Sequence, residues 1–212
     1  MDLESPEPRW PSLLALLAVG GLYAALPENL SAGPRWMVLV IVSILTIPVV
    51  VAHRRGHHAL TQAIGYTVES VVTIAMIWSV TLLVMAVPTH KEQPVKLLQS
   101  AIVLWLTNVL VFALWYWRLD AGGPHARDMT PGHSDGAFLF PQMAMAVADP
   151  NPHTSWSPQF VDYLFLAFNT STALSPTDTA VLSRWAKLLM MIQSAISLTV
   201  VAILAARAVN IL

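Results

Sequence analysis

The chain contains no cysteine. Disulfides, thiolate metal sites and cysteine nucleophiles are therefore excluded. Charge is also scarce. Asp, Glu, Lys and Arg make up 11% of the 212 residues, against about 25% in soluble domains. No basic run exceeds Arg54-Arg55 and the formal net charge is −1, so nucleic acid is not an expected partner. H-E-x-x-H, G-x-S-x-G and G-x-x-x-x-G-K are all missing. Without such motifs no enzymatic activity, cofactor or metal is expected. The acidic start, M-D-L-E-S-P-E-P-R-W, lacks the basic region and cleavage site of a signal peptide. The first apolar block is expected to be a retained helix.

Hydrophobic residues are abundant, at 56% of the chain. They fall in blocks bounded by charge, Pro or Gly, with lengths near the ~20 residues that cross a bilayer as a helix. The fold class expected is an all-α membrane protein with about five spans: Trp10–Leu26, Trp36–Ala52, Ile64–Val87, Val95–Trp117 and Arg184–Leu212. Trp115-Tyr116-Trp117 marks a membrane interface, and the lipid bilayer is the first partner. Three regions follow: a four-helix membrane part over 1–117, a long polar loop over 118–157, and a C-terminal unit over 158–212. The loop carries Gly122-Gly123-Pro124, Pro131-Gly132 and Asp149-Pro150-Asn151-Pro152, which is turn chemistry.

Within the last region a short apolar segment, Phe160–Phe168, precedes the polar run Asn169-Thr170-Ser171-Thr172. Ser157-Pro158 suits a helix start. A helix over Pro158–Ala173 reaches roughly 24 Å at ~1.5 Å per residue, short of the ~30 Å hydrocarbon core. It is expected to be re-entrant, ending where protein or water surrounds it.

The ten residues Asn169, Thr170, Ser171, Thr172, Ala173, Leu174, Ser175, Pro176, Thr177 and Asp178 lie between the short apolar segment Phe160–Phe168 and the last span. The segment resembles the pore region of potassium channels, where E-T-A-T-T-V-G-Y-G-D joins a pore helix to the inner helix. Thr170, Thr172 and Asp178 coincide in identity. The filter glycines do not: Ser175 and Thr177 take their places, and Pro176 replaces the tyrosine. A carbonyl filter needs left-handed backbone that Gly supplies, and Thr tolerates it badly. The resemblance thus implies a pore-type module without potassium selectivity, lined by hydroxyls, Asn169 or Leu174. The same turn also reads as a helix start, with Ser175 as cap, Pro176 first and Asp178 facing the positive end.

A second resemblance covers more of the chain. Phe138-Leu139-Phe140-Pro141-Gln142, Phe160–Phe168, Ser175–Asp178 and Ala205–Asn210 are similar to segments of small bacterial inner-membrane proteins of unknown function. That resemblance implies a multi-pass location in the inner (plasma) membrane and no activity.

Glu69 is the acid inside a span, and reads either as part of an ion or proton pathway with Arg207 as partner or as a side chain near the helix start that reaches the interface. Asn108 and Gln193 are expected to hydrogen-bond across helices. His53 and His57 share a helical face, but Arg54-Arg55 opposes a bound cation, so a solvated loop is expected there. Over 118–178, Arg118 and Arg127 stand against Asp120, Asp128, Asp135, Asp149, Asp162 and Asp178. This is either an acidic vestibule or ordinary loop solvation. Basic residues favour a cytoplasmic long loop, opposite to potassium-channel topology. The function expected is a homo-oligomeric ion pore, four-fold by preference because one short helix cannot enclose an axis, passing a monovalent cation. The alternative is a non-conducting structural or partner-binding subunit on the same fold.

Overall fold

A computed structural model describes residues 7–89, 93–129, 136–148, 156–172 and 178–209. Eight helices account for most of these: α1 (Trp10–Ala24), α2 (Trp36–Arg54), α3 (His58–Ala86), α4 (Pro94–Leu119), α5 (Pro124–Met129), α6 (Pro141–Ala148), α7 (Phe160–Thr172) and α8 (Arg184–Val209). Two short strands, β1 (Phe138–Leu139) and β2 (Ala180–Val181), pair antiparallel, with Phe138 opposite Val181.

Three helices, α3, α4 and α8, are long and apolar enough to cross a membrane. The expected first span is shorter than a crossing requires: α1 has 15 residues, about 22 Å at ~1.5 Å per residue. The second, α2, carries Pro48 in its interior, which removes one backbone hydrogen bond. The third span starts at His58, ahead of its expected start at Ile64, because residues 58–63, with His58, Thr61 and Gln62 among them, continue the helix outward.

Hydroxyls inside the apolar helices bond their own backbone four residues back. Ser43, Thr46, Thr73, Ser100 and Thr107 donate to Leu39, Val42, Glu69, Lys96 and Val103 carbonyls at 2.6–2.8 Å. This satisfies them without water. Gly20 sets the α1–α2 approach, since a Cβ there would lie 2.9 Å from the Leu39 side chain and 3.1 Å from its Cα.

α4 is the hub, packed against α1, α3, α7 and α8. Leu97, Ala101, Leu104, Val111, Phe112 and Leu114 are all buried on it. The loop expected over 118–157 is more structured than its turn residues suggested: α5, β1 and α6 fall within it. Its aromatic part packs Phe138 against Tyr116, Tyr163 and Trp185 at 5.3–6.2 Å between ring centroids.

Candidate functional site

The short helix α7 has 13 residues, about 20 Å at ~1.5 Å per residue. It begins later than Pro158. The main-chain N–H of Gln159 donates to the Asp162 carboxylate at 2.8 Å, so an acid in the first turn satisfies that end, and Ser157 does not. Beyond α7 the chain comes back to pair β2 with β1, and the Leu182 N–H donates to the Ala137 carbonyl at 2.8 Å. The last helix starts beyond Asp178, and Ser175, Pro176 and Thr177 lie outside the described residues. α8 begins at Arg184, and Ser183 Oγ accepts from the Ala186 N–H at 3.3 Å. β2 lies between Asp178 and α8, which corrects the capping expectation.

Of the ten filter-like residues, Ala173, Leu174, Ser175, Pro176 and Thr177 lie outside the described residues. Asp178 is exposed; Asn169 and Thr172 are half-buried. Thr170 and Ser171 are buried, and Ser171 is only 2% exposed. Gln193 of α8 donates to the Ala167 carbonyl at 2.8 Å and to Ser171 Oγ at 2.7 Å. Asn108 of α4 donates to Ser171 Oγ at 3.4 Å and to the Gln193 carbonyl at 3.3 Å. Ser197 donates to the Ser171 carbonyl at 2.5 Å and Ser194 to that of Thr170 at 3.3 Å. The Tyr116 hydroxyl donates to Gln193 Oε1. The orphan carbonyls that every helix end leaves are here met by side chains of α8. Asn108 and Gln193 thus act as the cross-helix hydrogen bonders that the sequence suggested.

The other end of α7 is also fixed. The Tyr163 hydroxyl donates to Asp120 Oδ2 at 2.6 Å, and the Ala137 N–H donates to Asp120 Oδ1 at 2.5 Å. Next to it, Arg127 donates to the Trp117 and Asp120 carbonyls at 2.8 and 2.9 Å and to Glu7 Oε2 at 2.9 Å. Its guanidinium lies over the Tyr163 ring at 5.1 Å. Trp117 Nε1 donates to the other oxygen of Glu7 at 2.5 Å. Nothing in the sequence marked Glu7 as a partner of residues more than a hundred positions away.

Glu69 is buried, and its partner is Arg118, not Arg207. Arg118 Nε donates to Glu69 Oε1 at 2.5 Å. The guanidinium also sits 5.8 and 5.6 Å from the Tyr66 and Trp117 ring centroids. Gly65 makes room for it, because a Cβ there would fall 2.1 Å from the Arg118 Nη1. Trp115 Nε1 donates to Thr73 Oγ1 at 2.8 Å one turn further along α3. Glu69 therefore lies level with the aromatic cluster that ends α4, where charge meets the headgroup region. Arg207 sits at the opposite end and donates to the Val87 carbonyl at 2.6 Å.

The acidic vestibule loses several of its members. Asp120 and Asp162 hold local structure as above, and Asp128 pairs with Arg9 at 2.6 Å. Asp135 and Asp149 lie outside the described residues. Of the His53–His57 pair, the His53 side chain lies outside the described residues, and His57 is exposed in the connection between α2 and α3 rather than on a shared helical face. A different pair is stacked: the His58 and His125 rings lie 3.6 Å apart and 9° from parallel. Burial, with the charges of His58 and Arg9, lowers His125 below the ordinary histidine value, and Asp128 opposes that. Among the described residues no group of three or more His, Asp or Glu is placed to hold a metal ion.

The class defined by these elements is an all-helical bundle with three helices fit to span a membrane and a half-length helix clamped at both ends. Comparison with known proteins returns no matching family model, no matching curated protein and no matching solved structure.

Proposed function

We propose that the chain is a multi-pass membrane protein in which α7 is a re-entrant helix sealed within its own subunit. It serves as a non-conducting structural or partner-binding subunit built on a channel-type hairpin. The observation that carries this reading is the burial of Ser171 under Gln193, Asn108 and Ser197. A pore needs its polar groups free to replace water around an ion. Here the Ser171 hydroxyl and the Ala167, Thr170 and Ser171 carbonyls at the end of α7 are taken up by side chains of α4 and α8. What α7 turns outward is apolar: Val161, Phe165 and Phe168 are 61%, 66% and 45% exposed.

A second reading, the homo-oligomeric pore for a monovalent cation, is favoured by α8. Only 17% of its most apolar stretch is buried, which leaves surface for neighbouring copies. In a tetramer, Asn169 and Thr172 would face the axis, Leu174 would gate it, and the negative end of α7 would favour a cation. The potassium-channel resemblance supports this second reading. The resemblance to small bacterial inner-membrane proteins supports only the location.

Ion flux in proteoliposomes separates the two. The sealed reading expects no flux above empty liposomes for the wild type or for Leu174→Ser. Flux that rises in Leu174→Ser would establish the pore. Cysteines introduced at Ser157 and Thr179 are expected to react with an impermeant thiol reagent from one face. Labelling from opposite faces would remove the re-entrant helix.

A further inference from the structure

We propose that Arg207 binds the phosphate of an anionic lipid headgroup at the end of the bundle formed by the C-termini of α3 and α8. Four other arginines have carboxylate partners: Arg9 with Asp128, Arg35 with Glu28, Arg118 with Glu69 and Arg127 with Glu7. Arg55 and Arg184 are exposed. Arg207 has neither condition. It is 7% exposed, and no described carboxylate lies within ion-pair distance. One amino group donates to the Val87 carbonyl, and its buried Nε has no acceptor among the described residues.

A buried cation with no counter-charge among the described residues is costly. The negative end of α8 compensates part of the charge, and one carbonyl compensates little more. Location supplies the missing anion. Arg207 lies in the last turn of a 26-residue helix that is about 39 Å long at ~1.5 Å per residue. That exceeds the ~30 Å hydrocarbon core, so its last turn reaches headgroup level. Val87 directly follows α3 at the same end. A lipid phosphate lies at that depth, and a planar guanidinium matches two phosphate oxygens with parallel N–H donors. Basic positions between membrane helices take headgroups in this manner.

The test uses full-length protein in neutral detergent, with bound lipid read by native mass spectrometry. Phosphatidylglycerol, phosphatidylcholine and inorganic phosphate are the three probes. Wild type should retain phosphatidylglycerol over phosphatidylcholine. Arg207→Gln should weaken that retention about tenfold, as expected for loss of a charge-assisted hydrogen bond. Arg207→Lys keeps the charge but not the fork, and should fall between. It also stands in if the glutamine variant fails to fold. Arg35→Gln, an exposed arginine, should leave retention unchanged. Unchanged retention in both Arg207 variants overturns the proposal. Equal retention of phosphatidylcholine overturns the preference for an anionic lipid. Displacement of the lipid by equimolar inorganic phosphate overturns the lipid origin of the phosphate.

Discussion

α4 and α8 are each 26 residues long and similarly apolar, yet they live differently. In the most apolar stretch of α4, 61% of residues are buried; in that of α8, 17% are. Hydrophobicity alone does not tell an interior helix from an outer one, because lipid and protein core are equally apolar. The polar residues tell them apart. α4 carries Thr107, Asn108 and Tyr116 on faces that meet other helices, and all three are buried. On α8 the buried residues Ala186, Gln193, Ser197, Val200 and Arg207 recur at helical spacing along one stripe. Leu188, Met191 and Leu198 point away and are 61–69% exposed. On these two helices the amide side chains, Asn108 and Gln193, mark the direction of protein, whereas hydroxyls that bond their own backbone, such as Thr199, also face outward.

Removing either partner of a buried contact should cost far more than any change on the outer stripe. The largest effect is expected at the α3–α4 ion pair. Arg118→Gln leaves Glu69 buried without its counter-charge and should cost about 3–5 kcal/mol, read as the unfolding midpoint in mixed micelles. Gln193→Ala comes next. It strips partners from Ser171, Tyr116 and the Ala167 carbonyl and should cost about 2–3 kcal/mol. Leu198→Ala on the same helix should stay within about 0.5 kcal/mol. Equal losses at Gln193 and Leu198 would erase the distinction between the two faces. Gly65→Ala should be smaller than Arg118→Gln, at about 1–2 kcal/mol, because the new methyl displaces the Arg118 guanidinium and stretches its bond to Glu69 but leaves the counter-charge in place.

The smallest effect concerns the stacked histidines. Folding lowers the affinity of His125 for its proton. The unfolded chain therefore binds the proton first as pH falls, and stability is lost below the ordinary value of 6.5. It is fully present above that value. His125→Gln should flatten this slope between neutral and mildly acidic pH. A slope unchanged by the substitution would assign the acid sensitivity elsewhere.

The spans α3, α4 and α8 were legible because apolar runs of that length have few alternatives. Asn108 and Gln193 were legible as cross-helix bonders for the reason just given. The partner of Glu69 was not. Arg118 stands at the edge of an apolar run, where sequence assigns it to solvent. Only the lateral register, with Thr73 beside Trp115, brings it back to Glu69. The β1–β2 pair was invisible for a similar reason, since two residues on each side carry no periodicity. The turn 175–178 misled because Ser-Pro-Thr-Asp suits a helix start wherever it occurs, and here a strand comes first.

The central claim is that the polar end of α7 is sealed inside its own subunit. The natural absence of cysteine makes single-cysteine labelling a direct test. Ser171→Cys and Asp178→Cys in liposomes should be exposed to a small water-soluble thiol reagent. The account predicts rapid reaction at 178 and protection at 171 from both faces of the membrane. Reaction at 171 as fast as at 178 would contradict it and open that end of the helix to water.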